Sequence, residues 1–186
     1  MAQTNPKGPT FQHLAIMVRD IEASHRFYTE VVGLEQCGKI ARDTLPDIDF
    51  RFYRGATDRH HDLALVQIPD PSQFPPANPE WQMVENKTGI NHFAICYPDR
   101  EAFLERLEIA QSLDVEFRQR GDHGMTHSVY VADPDGNGVE LLYELPEEVW
   151  INNVNAALNY WKPMATDGDE ALSDDVDYHR FAPAGG

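Results

Sequence analysis

Short stretches of this chain alternate apolar and polar residues with a period of two, and helical-period stretches separate them. Phe11 to Val18 reads as a strand. A helix follows from Asp20, a good N-cap, with Ile21, Phe27, Val31 and Val32 as its apolar stripe and Gly33 as its stop. Leu34–Ile40, Asp49–Arg54 and Asp62–Ile68 alternate as strands again. The same order then returns. His92–Tyr97 reads as a strand, and Asp99 caps a helix that carries Phe103, Leu107 and Ala110 on one face. Asp114–Gln119, Ser128–Ala132 and Gly138–Glu144 complete the set, with Asp133–Gly138 as a turn rich in Asp, Gly, Pro and Asn.

The pattern predicts an α+β fold made of two βαβββ modules, whose curved sheets combine around a shared cavity. The expected domain spans residues 10–148, with module 1 at about 10–68 and module 2 at about 89–145. Pro69–Pro79 is a proline-rich linker, and Glu80–Asn86 reads as helix-like. Residues 149–186 form a C-terminal extension that is partly helical between Pro146 and Trp161, then acidic and loop-like over Asp167–Asp177. Trp150, Trp161 and Phe181 argue that part of it packs on or covers something.

Composition narrows the partners. With 31 acidic residues against 15 Lys and Arg, the formal charge is −16, which disfavours nucleic acid and anionic lipid. No apolar run approaches membrane-spanning length. Cys37 and Cys96 imply no disulfide framework, and Cys96 reads as a small buried thiol in a strand. The expectation is a cytoplasmic protein with a small-molecule substrate. Its exposed sheet edges and apolar tail suggest a homo-oligomer.

The candidate chemistry lies in the repeat. His13-Leu-Ala-Ile and His92-Phe-Ala-Ile are 79 positions apart, and the same offset sets His61 against Glu140. His13 shares a strand face with Ala15 and Met17, as His92 does with Ala94 and Cys96, so each imidazole has space beside it. Glu140 stands among core residues, where an unpaired carboxylate is costly. Two histidines and one carboxylate form a facial triad suited to Fe(II), though Zn, Mn(II) or Ni(II) accept the same ligands. His61 is a candidate fourth ligand, and a one-residue slip puts Asp62 in its place, since a regular strand turns only one of them inward. Tyr130 and His127 have opposite parity, so one points in and the other out. His25, His60 and His179 read as surface residues.

These features together resemble the vicinal oxygen chelate superfamily: the paired His-x-Ala-Ile strands, Phe27-Tyr28 and Gly33-Leu34, and the Asp133-Pro-Asp-Gly-Asn-Gly-Val-Glu140 segment. Within it the chain is most similar to type I extradiol dioxygenases. That resemblance implies His13, His92 and Glu140 as ligands of Fe(II), His61 as the acid–base histidine, His123 in Gly121–Gly124 as the second-sphere histidine, and Tyr130 as the active-site tyrosine. It further implies a catechol-type substrate, O2 as co-substrate and a muconic-semialdehyde product. Most of the family carries two module pairs per chain, whereas this sequence has one, which implies a small single-domain member. A glyoxalase- or epimerase-like enzyme with four protein ligands, and a metal-free binder of small aromatics or drugs, are the alternative readings.

Overall fold

A computed structural model describes residues 11–41, 48–56, 59–73, 80–83, 88–174 and 176–183. They fall into two compact units, one of residues 7–80 with 133–137, the other of residues 81–132 with 138–186.

In the first unit, β1 (Leu14–Val18) leads to α1 (Ile21–Arg26), then β2 (Glu35–Lys39), β3 (Phe50–Arg54) and β4 (Leu63–Gln67). The Asp20 carboxylate accepts from the backbone N–H groups of Glu22 and Ala23, satisfying two orphan donors of the first turn. The helix continues past Arg26 as a π-helical turn over Phe27–Val31, and Gly33 ends it at φ 85°. The wider turn keeps Phe27, Tyr28, Val31 and Val32 all buried. The sheet order is β1-β4-β3-β2, with β1 and β4 parallel. Leu14, Ile16 and Val18 lie on the more buried face of β1, while Ala15 and Met17 are exposed, as the alternation predicts. The Tyr28 hydroxyl donates to Asp133 Oδ2 at 2.8 Å, a buried bond that ties the helix to the 133–137 turn.

The second unit repeats this order. β5 (His92–Tyr97), α2 (Arg100–Ser112), β6 (Gln119–Asp122), β7 (Thr126–Ala132) and β8 (Gly138–Glu144) form a sheet ordered β5-β8-β7-β6-β9, with β5 and β8 parallel. Phe103, Leu107 and Ala110 are the buried stripe of α2. The predicted strand over 114–119 is displaced. Asp114 takes a left-handed conformation (φ 57°) that closes the helix, and pairing with β7 begins only at Arg118, whose N–H donates to Tyr130 O. Residues 80–83 are not helical, and the rest of the expected helix-like piece lies outside the described residues.

The extension holds α3 (Glu147–Trp150), α4 (Val154–Leu158) and β9 (Lys162–Pro163), which adds a strand to the sheet beside β6. It also covers the outer sheet face. Asp174, fully buried, accepts from His127 Nδ1 at 2.8 Å and from the Tyr143 hydroxyl at 2.6 Å, and it faces Arg120 Nη2 at 3.5 Å. His127 therefore does lie opposite Tyr130 in parity, yet it is only 4% exposed because the extension sits over it. Cys96, expected inside, is exposed. No helix among the described residues is long and apolar enough to cross a membrane.

Candidate metal and acid–base site

Strand pairing in the second unit puts the key side chains on one face. Tyr130 lies opposite Glu140 across β7 and β8, and Ala94 lies opposite Glu140 across β5 and β8. His92, two residues before Ala94, shares that face. The small side chain of Ala94 leaves the space that His92 and Glu140 use: His92 Nε2 is 3.2 Å from Glu140 Oε2.

His92 is held from behind. Its Nδ1 donates to Asn91 Oδ1 at 2.7 Å, and Asn91 Nδ2 in turn donates to Met83 O. With Nδ1 committed to Asn91, Nε2 is the ring atom turned to the carboxylate, and the contact is bridged either by a second ring proton or by a cation lying between the two atoms. The separation suits two donors, each roughly 2.1 Å from one divalent ion, in neighbouring positions. His92 and Glu140 therefore fit a metal.

Beyond Glu140 runs a short proton-bearing line. The Tyr130 hydroxyl donates to Glu140 Oε1 at 2.8 Å, so His123 Nε2, 2.9 Å from the same hydroxyl, supplies the hydrogen of that contact. Burial, then the charge and hydrogen bond of Glu140, push the Tyr130 phenol far above its ordinary range. Burial lowers His123 below the usual imidazole value, against the opposing pull of Glu140 and Asp122. Trp81 stacks on Tyr130 with centroids 5.4 Å apart and meets His92 edge-on. His92, His123, Tyr130 and Glu140 open onto a cavity of about 390 Å³, whose apolar walls are Met83, Met125, Leu142 and Leu158. None of the described residues lining it is Lys or Arg.

In the first unit His13 and His61 lie together, ring centroids 4.6 Å apart, with Phe52 against His61 at 4.8 Å. The register explains how His61 arrives there. Leu14 pairs with Leu63 and His92 with Gly138, so the crossover in the first module is three residues longer. Ala64, opposite Ala15, is thus the register-mate of Glu140, and His61 precedes β4 altogether. Strand parity does not govern a residue outside the strand, and Asp62 turns away, accepting from Gly55 N at 2.9 Å. His60, exposed as expected, brings Nδ1 within 2.6 Å of His61 Nδ1. Burial, followed by the charges of His60 and His13, lowers the His61 pKa. His25 is not a plain surface residue, since its Nδ1 lies 3.0 Å from the Tyr53 hydroxyl, while His179 is exposed and stacked on Tyr160.

Among the described residues, no group of three or more His, Cys, Asp or Glu side chains is arranged to hold a metal ion. His92 and Glu140 stand as a pair. Two supporting residues escaped the pattern reading, Gln12 and Asn91. Gln12 Oε1 bonds His13 Nδ1 just as Asn91 Oδ1 bonds His92 Nδ1. The visible signal is a carboxamide immediately before the histidine in both copies of the repeat.

Comparison with known proteins agrees with this architecture. The family model described as the Glyoxalase/Bleomycin resistance protein/Dioxygenase superfamily matches residues 10–141. A catechol-2,3-dioxygenase of Bacillus subtilis is 29% identical over 73% of this chain, which spans only 41% of that protein's length. A lactoylglutathione lyase of Pseudomonas putida is 30% identical over 78% of this chain and 92% of its own. A glyoxylase/bleomycin resistance protein/dioxygenase domain from Frankia superposes with a TM-score of 0.55 at 14% identity, covering 75% of this chain and all of that one.

Proposed function

The chain belongs to the Glyoxalase/Bleomycin resistance protein/Dioxygenase superfamily, and from that premise we propose that it is an Fe(II)-dependent extradiol dioxygenase acting on a catechol-type diol. The observation that carries this reading is the His92–Glu140 pair, backed by Tyr130 and His123, at an apolar-walled cavity without a lining cation. A flat, apolar diol suits such walls. A glutathione conjugate, with its two carboxylates, would call for Lys or Arg.

The reading gives His13 the third ligand place, through its repeat relation to His92. Fe(II), which His13, His92 and Glu140 would hold, would supply Lewis-acid and redox chemistry to a diol and dioxygen. The protein's own groups then position and move protons. Asn91 keeps the His92 proton on Nδ1, leaving Nε2 as the donor atom. Tyr130 fixes the Glu140 carboxylate, and His123 transfers its Nε2–H bond from the Tyr130 hydroxyl to a substrate oxygen when the diol binds. His61, whose lowered pKa favours the free base, takes a diol proton and returns it as the ring C–C bond beside the diol breaks. Both atoms of O2 enter the semialdehyde product, so no external reductant is consumed.

A glyoxalase-like lyase is the second reading, favoured by one observation: the chain matches the Pseudomonas putida lyase over nearly that protein's whole length. Anaerobic loading with Fe(II), addition of catechols and admission of air separates the two. Stoichiometric oxygen uptake with a yellow product, lost in Glu140→Ala, supports ring cleavage. Absence of uptake, with turnover of a methylglyoxal–glutathione hemithioacetal on Zn or Ni, gives the lyase.

A further inference from the structure

The family match ends at residue 141, yet the extension beyond it reaches the site. β9 joins β6 by pairing Gly121 with Pro163 and Asp122 with Lys162, and Met164 N donates to Arg120 O at 2.9 Å. This pairing delivers the preceding residue, Trp161, onto the segment that carries His123. The indole lies directly over Gly121, where an added Cβ would come within 2.1 Å of Cη2 and 2.3 Å of Cζ3. Phe181 occupies the matching space at Gly124, within 2.5 Å of where a Cβ would stand. Only glycine at 121 and 124 admits these two rings.

The His123 imidazole is consequently held from two sides. Tyr130 meets its Nε2 at 2.9 Å, and the Trp161 ring stands 4.7 Å from it, tilted by 52°. The turn beneath is closed by His123 N donating to Thr126 O and Gly124 N donating to Asp122 Oδ1. Trp161 remains 39% exposed and Leu158, one of the cavity walls, 69% exposed. Large apolar side chains left this open beside a cavity have apolar surface still to bury.

We propose that Trp161 is a positioning residue for His123, and that with Leu158 it gives the C-terminal extension a share in the site. The extension thereby sets the direction in which His123 presents its Nε2 proton and supplies the apolar rim against which a substrate's ring body rests. The kinetic part of this inference rests on the dioxygenase reading, whereas the positioning part does not.

The test compares Trp161→Ala, Trp161→Phe and Gly121→Ala, the last of which displaces the indole without removing it. Histidine side-chain NMR of the metal-free protein is read first. The expected result is one sharp His123 imidazole set in wild type and Trp161→Phe, and shifted or multiple sets in Trp161→Ala and Gly121→Ala, with the Tyr143–Asp174 region unchanged. Turnover of catechol by the Fe(II)-loaded protein is read second. Trp161→Ala should lower kcat roughly tenfold or more with KM changed less than about twofold, because a misdirected proton donor costs rate rather than binding. Leu158→Ala should instead raise KM for an aryl-substituted catechol more than for catechol itself. His123 signals identical to wild type in both Trp161→Ala and Gly121→Ala would overturn the positioning role. Equal KM changes for the two catechols in Leu158→Ala would overturn the rim. Altered His123 signals in a protein whose wild type consumes no oxygen would leave the positioning role standing and sink the dioxygenase reading instead.

Discussion

The His92 imidazole points Nε2 at Glu140 Oε2 across 3.2 Å while its Nδ1 is committed to Asn91. The Asn91 bond holds a proton on Nδ1 and so leaves Nε2 as the ring atom turned to the carboxylate. Asn91 is thus as much a part of the candidate site as His92 and Glu140.

Replacing Asn91 by Leu should therefore weaken metal binding by about 10- to 100-fold, the usual cost of losing a group that orients a ligating histidine. Asn91→Asp keeps the acceptor and should recover most of the affinity. Titration against a chromophoric chelator measures both, and an unchanged affinity in Asn91→Leu would show that His92 needs no such support.

Tyr130→Phe removes the donor to Glu140 and the partner of His123 in one step. Its hydroxyl is buried against both, so unfolding should become easier by about 1–3 kcal/mol, with turnover reduced as well. Urea denaturation followed by fluorescence reads the first effect, and oxygen uptake the second. A variant of full stability would mean that water replaces the hydroxyl without loss.

The clamp at Asp174 predicts a pH dependence. Burial by itself would lower the His127 pKa, but the bonds to Asp122 and Asp174 outweigh it and raise the value to about 9. A group whose folded pKa exceeds its ordinary 6.5 stabilises the fold fully below that ordinary value and loses the contribution as pH rises through the folded one. Stability should accordingly fall between about pH 7 and pH 10, and the His127→Gln variant should show a flatter profile. Asp174→Ala, which removes the carboxylate facing the buried Arg120 and leaves His127 with Asp122 alone, should cost roughly 3–5 kcal/mol at neutral pH. Denaturation midpoints across that pH range check both variants.

Tyr28→Phe should destabilise the protein by about 1–2 kcal/mol, since it deletes the buried bond to Asp133 Oδ2. The carboxylate keeps the N–H groups of Asp135 and Asn137 and the Asn137 side-chain amide, so the turn itself should survive. A crystal structure of the variant with the 133–137 turn displaced would show that the tyrosine, not the turn residues, defines it.

Much of this molecule is legible in the chain because its signals are local. Alternation places Leu14, Ile16 and Val18 on the buried side of β1, Asp20 and Asp99 cap the two main helices, and His92–Tyr97 and Gly138–Glu144 appear at the predicted bounds. Of the residues the repeat singled out, His92 and Glu140 come together, and parity put Tyr130 and His127 on opposite faces. Such readings depend on the period of a strand or helix, which neighbouring residues carry by themselves. The tertiary structure alone decided matters of register and covering. A crossover three residues longer in the first module set Ala64, rather than His61, opposite the β1 position that corresponds to Glu140's partner. Distant Asp174 buried His127, and Trp161 found its place over Gly121. No periodicity encodes those contacts, because each joins residues dozens of positions apart and depends on how the chain closes back on its own sheet.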